Sequence, residues 1–355
     1  MSLPPVYATR EDVMRALDIK LTARNAGQVD RALQSASRGV DGLCHRRFYP
    51  ETATRSFDWP DSQYRPSWRI WLDDNELISL ASITTGGVAI DPSNVVLYPQ
   101  VGPPYNRVEI NLGSSAAWGG GNTHQLDVSM TGLWAGCPLY ETQVGALTAA
   151  VASTSVTTVA VDGAASALLG VGSVLRIDSE RLLVTGRTMT DTGQTVGGAG
   201  LTAQANSVTI PVTNGAVFAV DEVLLIDSER MLIVDIAGNQ LTVQRAWDGT
   251  VLAAHTANTS IYAARTLTVT RGALGTTAAT HADAAAVVRW DPPGLIRDLT
   301  IAEAMNRVLQ EQAGYSRTSK TSSGAKSTAV ETLSLESLRT QVYNEHGRKA
   351  RHRGV

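Results

Sequence analysis

One pentapeptide occurs twice in this chain, in an order that tandem duplication cannot produce. Ile-Asp-Ser-Glu-Arg stands at 177–181 and again at 226–230, flanked alike by GSVLRIDSERLLV and DEVLLIDSERMLI. The segment upstream recurs as ALTAAVASTSVTTVAV (146–161) and GLTAQANSVTIPV (200–212). A downstream pair follows, VQRAWDGTVLAAH (243–255) and VTRGALGTTAATH (269–281), with Val, Arg, Gly, Thr, Ala and His at matching offsets. The order along the chain is front, front, back, back, whereas tandem copies would alternate. Nesting explains it: an inner unit at 201–264 sits in a loop of an outer unit split into 146–190 and 265–290. Insertion at an exposed hairpin tip leaves the host strands paired and is tolerated for that reason. Lysine is absent from this region, and Thr, Val, Ala and Gly dominate it, a β composition.

Helical signals flank the β region. Thr9 and Asp12 have capping-box spacing, and Val13, Met14 and Leu17 fall on one face behind them. Val29, Leu33, Ala36, Val40 and Leu43 step by four and three, one apolar stripe that ends before Pro50. After Asp-Pro-Pro-Gly, Leu295, Leu299, Ala302, Met305 and Leu309 form another. Short strand patterns between Pro and Gly breaks fill 52–142. The polar stretch 315–328 reads as a linker, and a final helix carries Leu335, Leu338 and Val342 on one side. The expected class is α+β. The N- and C-terminal segments form a helical bundle with short strands (1–142 and 291–316), a large all-β region of two nested repeats is inserted, and 317–355 is linker and arm.

Composition excludes several functions. The chain has 355 residues, 43% of them hydrophobic, with 30 basic and 33 acidic side chains. That balance excludes a globally basic nucleic-acid coat. Charge is uneven, because 317–355 holds 8 basic and 3 acidic residues. This tail is either a solvated end or a contact for nucleic acid or an acidic protein surface. No apolar run reaches the ~20 residues of a membrane span, and the first residues show no signal-peptide pattern. Cys44 and Cys137 lack metal-ligand spacing and are too few for a disulfide scaffold, so a reducing cytosol is the expected site of synthesis.

Chemical motifs are sparse. Nucleophile-elbow, HExxH and phosphate-loop patterns are missing. Asp178, Ser179 and Glu180, like Asp227, Ser228 and Glu229, read as a hairpin turn carrying a Glu–Arg pair, with a carboxylate catalytic pair or cation site as the competing reading. His255 and His281 close the two repeats and are expected to fix turns rather than bind metal. Cys44 completes a helical stripe, which favours burial over a thiolate pair with His45. The tryptophans at 59, 68, 71, 118 and 134 suit core or subunit contacts better than sugar binding. Thr22 to Val40 lacks evident base-reading residues for a helix-turn-helix. No catalytic, cofactor or metal residue is expected, and no enzymatic activity.

The order of the outer segments resembles a known family. These segments are CHRRFYP, WRIWLDDNELISLASITTGG, NVVLYPQVGPPYNRVEINL, DVSMTGLWAGCP and PPGLIRDLTIAEAMNRVLQEQAG. The arrangement is similar to the head-tail connector, or head-to-tail adaptor, proteins of long-tailed bacteriophages, over 1–142 and 291–345. The repeats depart from the compact family pattern and resemble β insertions in phage virion proteins of actinobacterial hosts. The excess of 26 Arg over 4 Lys fits such a host. The resemblance implies a ring, usually of twelve copies, under the portal at the neck of the virion. Such a ring extends the DNA channel without sequence-specific binding and docks stopper or tail-terminator proteins. The C-terminal segment is then expected to embrace the portal protein, with Leu335, Leu338, Val342, Arg348, Lys349, Arg351 and Arg353 as the expected contacts. The repeats would reach the major capsid protein or neighbouring subunits. The alternative is a carbohydrate- or receptor-binding tail protein.

Overall fold

The computed structural model describes residues 5–17, 22–59, 67–312 and 334–348. Helix α1 (Arg10–Leu17) begins with a reciprocal cap: the Asp12 amide donates to Thr9 Oγ1 at 3.1 Å and the Thr9 amide to Asp12 Oδ2 at 3.0 Å. Helix α2 (Ala23–Cys44) starts at Thr22, whose hydroxyl accepts the Asn25 amide. The chain divides into two compact units, and the division falls inside α2.

The unit formed chiefly by 41–140 contains β1 (Glu51–Phe57), β2 (Arg69–Trp71), β3 (Leu77–Thr85), β4 (Val88–Ile90), β5 (Val95–Tyr98), β6 (Arg107–Ile110) and β7 (Val128–Trp134). They form an antiparallel sheet in the order β1-β7-β3-β4 and a smaller one, β2-β6-β5. Along β7, Val128, Met130 and Trp134 are buried, while Ser129, Thr131 and Leu133 alternate to the other face. The inward residues join Ile70, Leu72, Leu77, Ile83 and Val108 in one core. Gly132 lies under β3, where a Cβ would come within 2.3 Å of the Ser79 carbonyl oxygen.

The other unit holds β8 (Glu141–Ala146), β9 (Thr158–Ala160), α3 (Gly163–Leu168), β10 (Val174–Ile177), β11 (Glu180–Thr195), β12 (Thr209–Pro211), β13 (Val223–Ile226), β14 (Glu229–Ala237), β15 (Gln240–Trp247), β16 (Ser260–Thr270) and β17 (Ala286–Trp290). One ten-stranded antiparallel sheet joins them, in the order β12-β15-β14-β13-β16-β11-β10-β17-β8 with β9 on β16. The sheet is two copies of one motif. In the first, β17 pairs β10, β10 pairs β11, and β11 pairs the later part of β16, which pairs β9. In the second, the early part of β16 pairs β13, β13 pairs β14, β14 pairs β15 and β15 pairs β12. The Val151–His281 bridge of the first corresponds to Leu201–His255 in the second.

Each copy curls toward closure. In the outer copy Leu147 bridges Val161, and the Thr148 amide donates to the Ala160 carbonyl. In the inner copy the Gly197 amide reaches the Pro211 carbonyl. Closure leaves few unpaired strand edges, which suits modules this small. Each has its own apolar filling, Leu175, Ile177, Leu182 and Val287 in the outer copy and Leu224, Ile226, Ile233 and Ile261 in the inner. Strands β11 and β16 run through both. The inner barrel begins at the Thr190–Ala263 pair, earlier than the 201–264 boundary read from sequence.

Two helices complete the described chain, α4 (Gly294–Gln312) and α5 (Leu335–His346). Val13 and Met14 of α1, Val29, Leu33 and Ala36 of α2, and Ala304 and Val308 of α4 form one buried cluster. Bidentate Arg10–Asp30 and the Arg297–Asp12 pair tie the same helices at their rim.

The expected α+β class built on a helical bundle is overturned. Strands make up 36% of the chain and helices 23%, and the ten-stranded sheet is the largest element, so the fold is mainly β. The cause is physical. The segment 51–134 buries its own two-sheet core without helices, and α1 has only 8 residues to offer a bundle. Among the described residues no helix is long and apolar enough to cross a membrane.

Candidate functional site

Each copy of the repeated pentapeptide builds a buried cluster of ionisable side chains. In the outer barrel Asp178 and Ser179 form the exposed turn between β10 and β11, with Asp178 at φ 51°. Glu180, the next residue, points inward and has no solvent exposure. Its carboxylate accepts five hydrogen bonds, from Arg271 Nε and Nη2, the Gly272 and Ala279 amides, and His281 Nε2, all at 2.7–2.9 Å. The second ring nitrogen of His281 lies 2.8 Å from Asp178 Oδ2. The Arg271 guanidinium also donates to the carbonyls of Ser153, Val156 and Ala279.

The inner barrel repeats this atom for atom. Glu229 accepts from Arg245 Nε and Nη2, the Ala246 and Ala253 amides, and His255 Nε2. His255 Nδ1 lies 2.7 Å from Asp227 Oδ2, and Asp227 has φ 51° beside the exposed Ser228. Arg245 donates further to the carbonyls of Thr202, Ser207 and Ala253. Each latch ties three stretches together: the hairpin turn, the segment that opens the repeat, and the loop that closes it on the His.

Such a carboxylate cannot act as a nucleophile or base. Burial pushes Glu180 and Glu229 up, but the arginine, the amides and the histidine outweigh it and hold each at about 2. Their lone pairs are committed, which leaves no room for substrate or cation. Among the described residues no group of His, Cys, Asp or Glu could hold a metal ion.

The pH consequence has a definite sign. A carboxyl depressed on folding contributes stability above its unfolded range near 4.5, and that contribution is lost as pH falls through the folded value. The β region should therefore loosen between about pH 4.5 and 2. Circular dichroism of the 141–290 region during acid titration checks this. A signal flat to pH 2 would show that the latches do not hold the barrels.

The other residues singled out from sequence have structural surroundings. Cys44 is buried, and its thiol is pushed up to about 11, first by burial and then by Asp41 against Arg46, while His45 is exposed. Cys137 rises to about 12 through burial and Glu76, and its thiol donates to the Phe48 carbonyl. Neither is a poised thiolate. The glycine-rich 118–121 segment is no phosphate cradle, since the Gly119 and Gly120 amides donate to Thr85 Oγ1, which donates to Asp127. Trp134 is buried, gives its indole N–H to the Ala53 carbonyl and carries the Arg55 guanidinium over its ring at 4.6 Å. These contacts suit a core more than a sugar platform.

Of the C-terminal residues, Leu335 and Leu338 are half-buried on α5 and Val342 is fully buried. Arg348 pairs with Asp74 and Glu76. Lys349, Arg351 and Arg353 lie outside the described residues. An open groove of about 1550 Å³ lies in the 41–140 unit, lined among others by Arg47, Arg55, Trp71, Asp73, Glu76 and Arg348.

The expected Glu–Arg pair is present, but its arginine comes from a distant segment that the sequence reading did not name. Glu180 is bound by Arg271, 91 positions away, whereas its neighbour Arg181 pairs with Glu141. The signal was present, because arginine stands at the same offset before the closing His in both repeats. No protein-family model matches the chain, and no curated protein or solved structure matches it either.

Proposed function

We propose that the chain is a structural virion protein, a head-to-tail adaptor that forms a ring beneath the portal of a long-tailed bacteriophage. One observation carries the reading. Residues far apart in sequence, 6–36 and 301–308, share one apolar core, and the β region between them starts and ends on the paired strands β8 and β17. A chain built this way can enlarge its middle without disturbing its ends. The saturated latches favour architecture over chemistry throughout the insertion. The near-neutral charge of −3 suits a channel wall that must let DNA pass, because cation-rich walls would gain affinity by releasing counterions and hold it. Portal, stopper or tail-terminator proteins and further copies of the chain are the partners this function requires. The two barrels are proposed to reach the capsid protein or neighbouring copies.

The test is direct localisation, by labelling the protein in intact particles and imaging the neck. Signal at any other place in the virion, or none, rejects the reading. Truncation adds a second measure. Removing 330–355 should leave the subunit folded and weaken its co-sedimentation with portal at least tenfold. Unchanged co-sedimentation would remove the C-terminal segment from the contact.

A further inference from the structure

The C-terminal segment has a seat within the 41–140 unit, and the way it is fastened bears on assembly. Its residues 340–348 belong to that unit. Val342 is the one side chain of α5 in the fully buried class, so little apolar area anchors the helix. The remaining fastenings are polar. Arg348 Nη1 pairs with Asp74 Oδ1, Nη2 lies 3.1 Å from the Asp74 carbonyl oxygen and 3.2 Å from Glu76 Oε2, and the Arg348 amide donates to the Cys44 carbonyl. The His346 ring meets Phe48 edge-on at 5.9 Å. The Asp74 side chain is 89% exposed, so its pair with Arg348 contributes little by itself, whereas Glu76 is 10% exposed and gives the stronger pair. A helix of 12 residues is marginal alone. Arg339 also pairs with Glu303 of α4, and the connecting chain adds local concentration to these contacts.

That connection is long. Twenty-one residues separate Gln312 from Ser334, and a chain of that length can span up to about 70 Å. A compact body of the size of the 41–140 unit has a radius of gyration of only about 14 Å. A seat on an adjacent copy is therefore within reach. Exchange costs no contact, because every bond made within one copy is remade identically between two. In a ring each copy gives one arm and receives one, so all seats are filled and the exchange closes on itself.

We propose that the seat formed by Cys44, Phe48, Asp74 and Glu76 receives residues 340–348 from a second copy of this chain, so that exchanged arms staple the ring. The proposal rests on the ring reading above and adds what holds neighbouring copies together. It also commits Arg348 to the adjacent subunit and leaves the portal-facing role to residues beyond it.

The experiment uses Arg348→Lys, which keeps the charge and places an amine beside Asp74. Equal amounts of unlabelled and nitrogen-15 variant chains are mixed, assembled and treated with a zero-length carbodiimide that joins amine to carboxylate. Mass spectrometry then reads whether linked peptides carry one isotope or both, and Asp74→Asn confirms the carboxylate. Exchange predicts that about half of the linked pairs are mixed. Oligomers whose links are all of a single isotope place the arm on its own chain and overturn the proposal, as do oligomers with no link at all. Chains that never form oligomers, with or without portal, overturn the ring reading itself, which is a separate failure.

Discussion

Replacing Glu229 by Gln unfolds the inner barrel at room temperature and leaves the outer barrel folded. The substitution is nearly isosteric, so its effect is electrostatic. Arg245 has 3% of its side chain exposed and, among the described residues, donates to the carboxylate of Glu229 alone. Without that charge the guanidinium remains buried with carbonyl acceptors alone. Breaking a buried ion pair from one side costs about 3–5 kcal/mol. A barrel of this size has a total stability of only several kcal/mol. Glutamine keeps an oxygen at only one of the two positions, so either the Ala246 amide, or the Ala253 amide together with the His255 ring, faces an NH2 donor instead of an acceptor. Hydrogen exchange checks the outcome: amides of β13, β14 and β15 should lose protection while those of β10 and β17 keep it. Adding Arg245→Met to the variant removes the stranded cation and should restore part of the protection. A coupling between the two sites below about 0.5 kcal/mol would show that the latch is ornamental, since groups in one network couple by about 0.5–3 kcal/mol. Glu180→Gln should act the same way on the outer barrel, through Arg271.

The parts of this fold legible in the sequence are those with local causes. The Thr9–Asp12 cap depends on residues three apart, so its spacing is enough to place the start of α1. Asp178 and Asp227 sit at positive φ in two-residue turns, a conformation aspartate tolerates, and both stand where the strand pattern breaks. The stripe of α2 ends at Cys44, which is buried as its phase requires.

What was not legible depends on long-range pairing. Neither Arg271 nor Arg245 could be assigned to a glutamate from offsets alone, because strand pairing decides which arginine arrives. The continuity of β11 through RTMTDTGQT was hidden as well. That stretch has few apolar residues to alternate, and it is held by backbone bonds to β16 and by the Thr190–Thr266 hydroxyl contact. The weight given to helices has a related cause. Apolar stripes of helical period are conspicuous, whereas β1, ETATRSF, places only Phe57 in the fully buried class and sets Thr54 and Ser56 against Thr131 and Ser129 on its outer face. Strands of that kind carry little hydrophobic signal. The C-terminal stripe was legible in outline, since Leu335 and Leu338 are half-buried and Val342 is fully buried, while Glu336, Ser337, Thr340, Gln341 and Tyr343 are exposed.

The continuous strands make a sharp prediction about where the inner module can be removed. In the outer barrel the last pair before the joint is Thr188 with Thr266, and the next pair, Thr190 with Ala263, already belongs to the inner one. Removing 190–264 and joining Met189 to Arg265 through Asn-Gly gives β11 and β16 a two-residue turn of the type that suits twisted hairpins. Every pair of the outer barrel, its bridge at Val151 and its latch at Glu180 remain. This shortened chain should fold, with its remaining β signal intact and a single cooperative transition. Removing 201–264 instead, the boundary that sequence similarity suggests, strands Thr190–Gly200 without the β16 residues they pair with. That leaves a run of unpaired strand edge, which favours aggregation. The second deletion should therefore be mainly insoluble and the first mainly soluble and monodisperse, although it removes 11 more residues of the native chain. Equal solubility and equal melting of the two would mean that the barrels do not share their strands. Loss of all β structure in both would mean that the region is one indivisible domain rather than a module carried in the hairpin of its own copy.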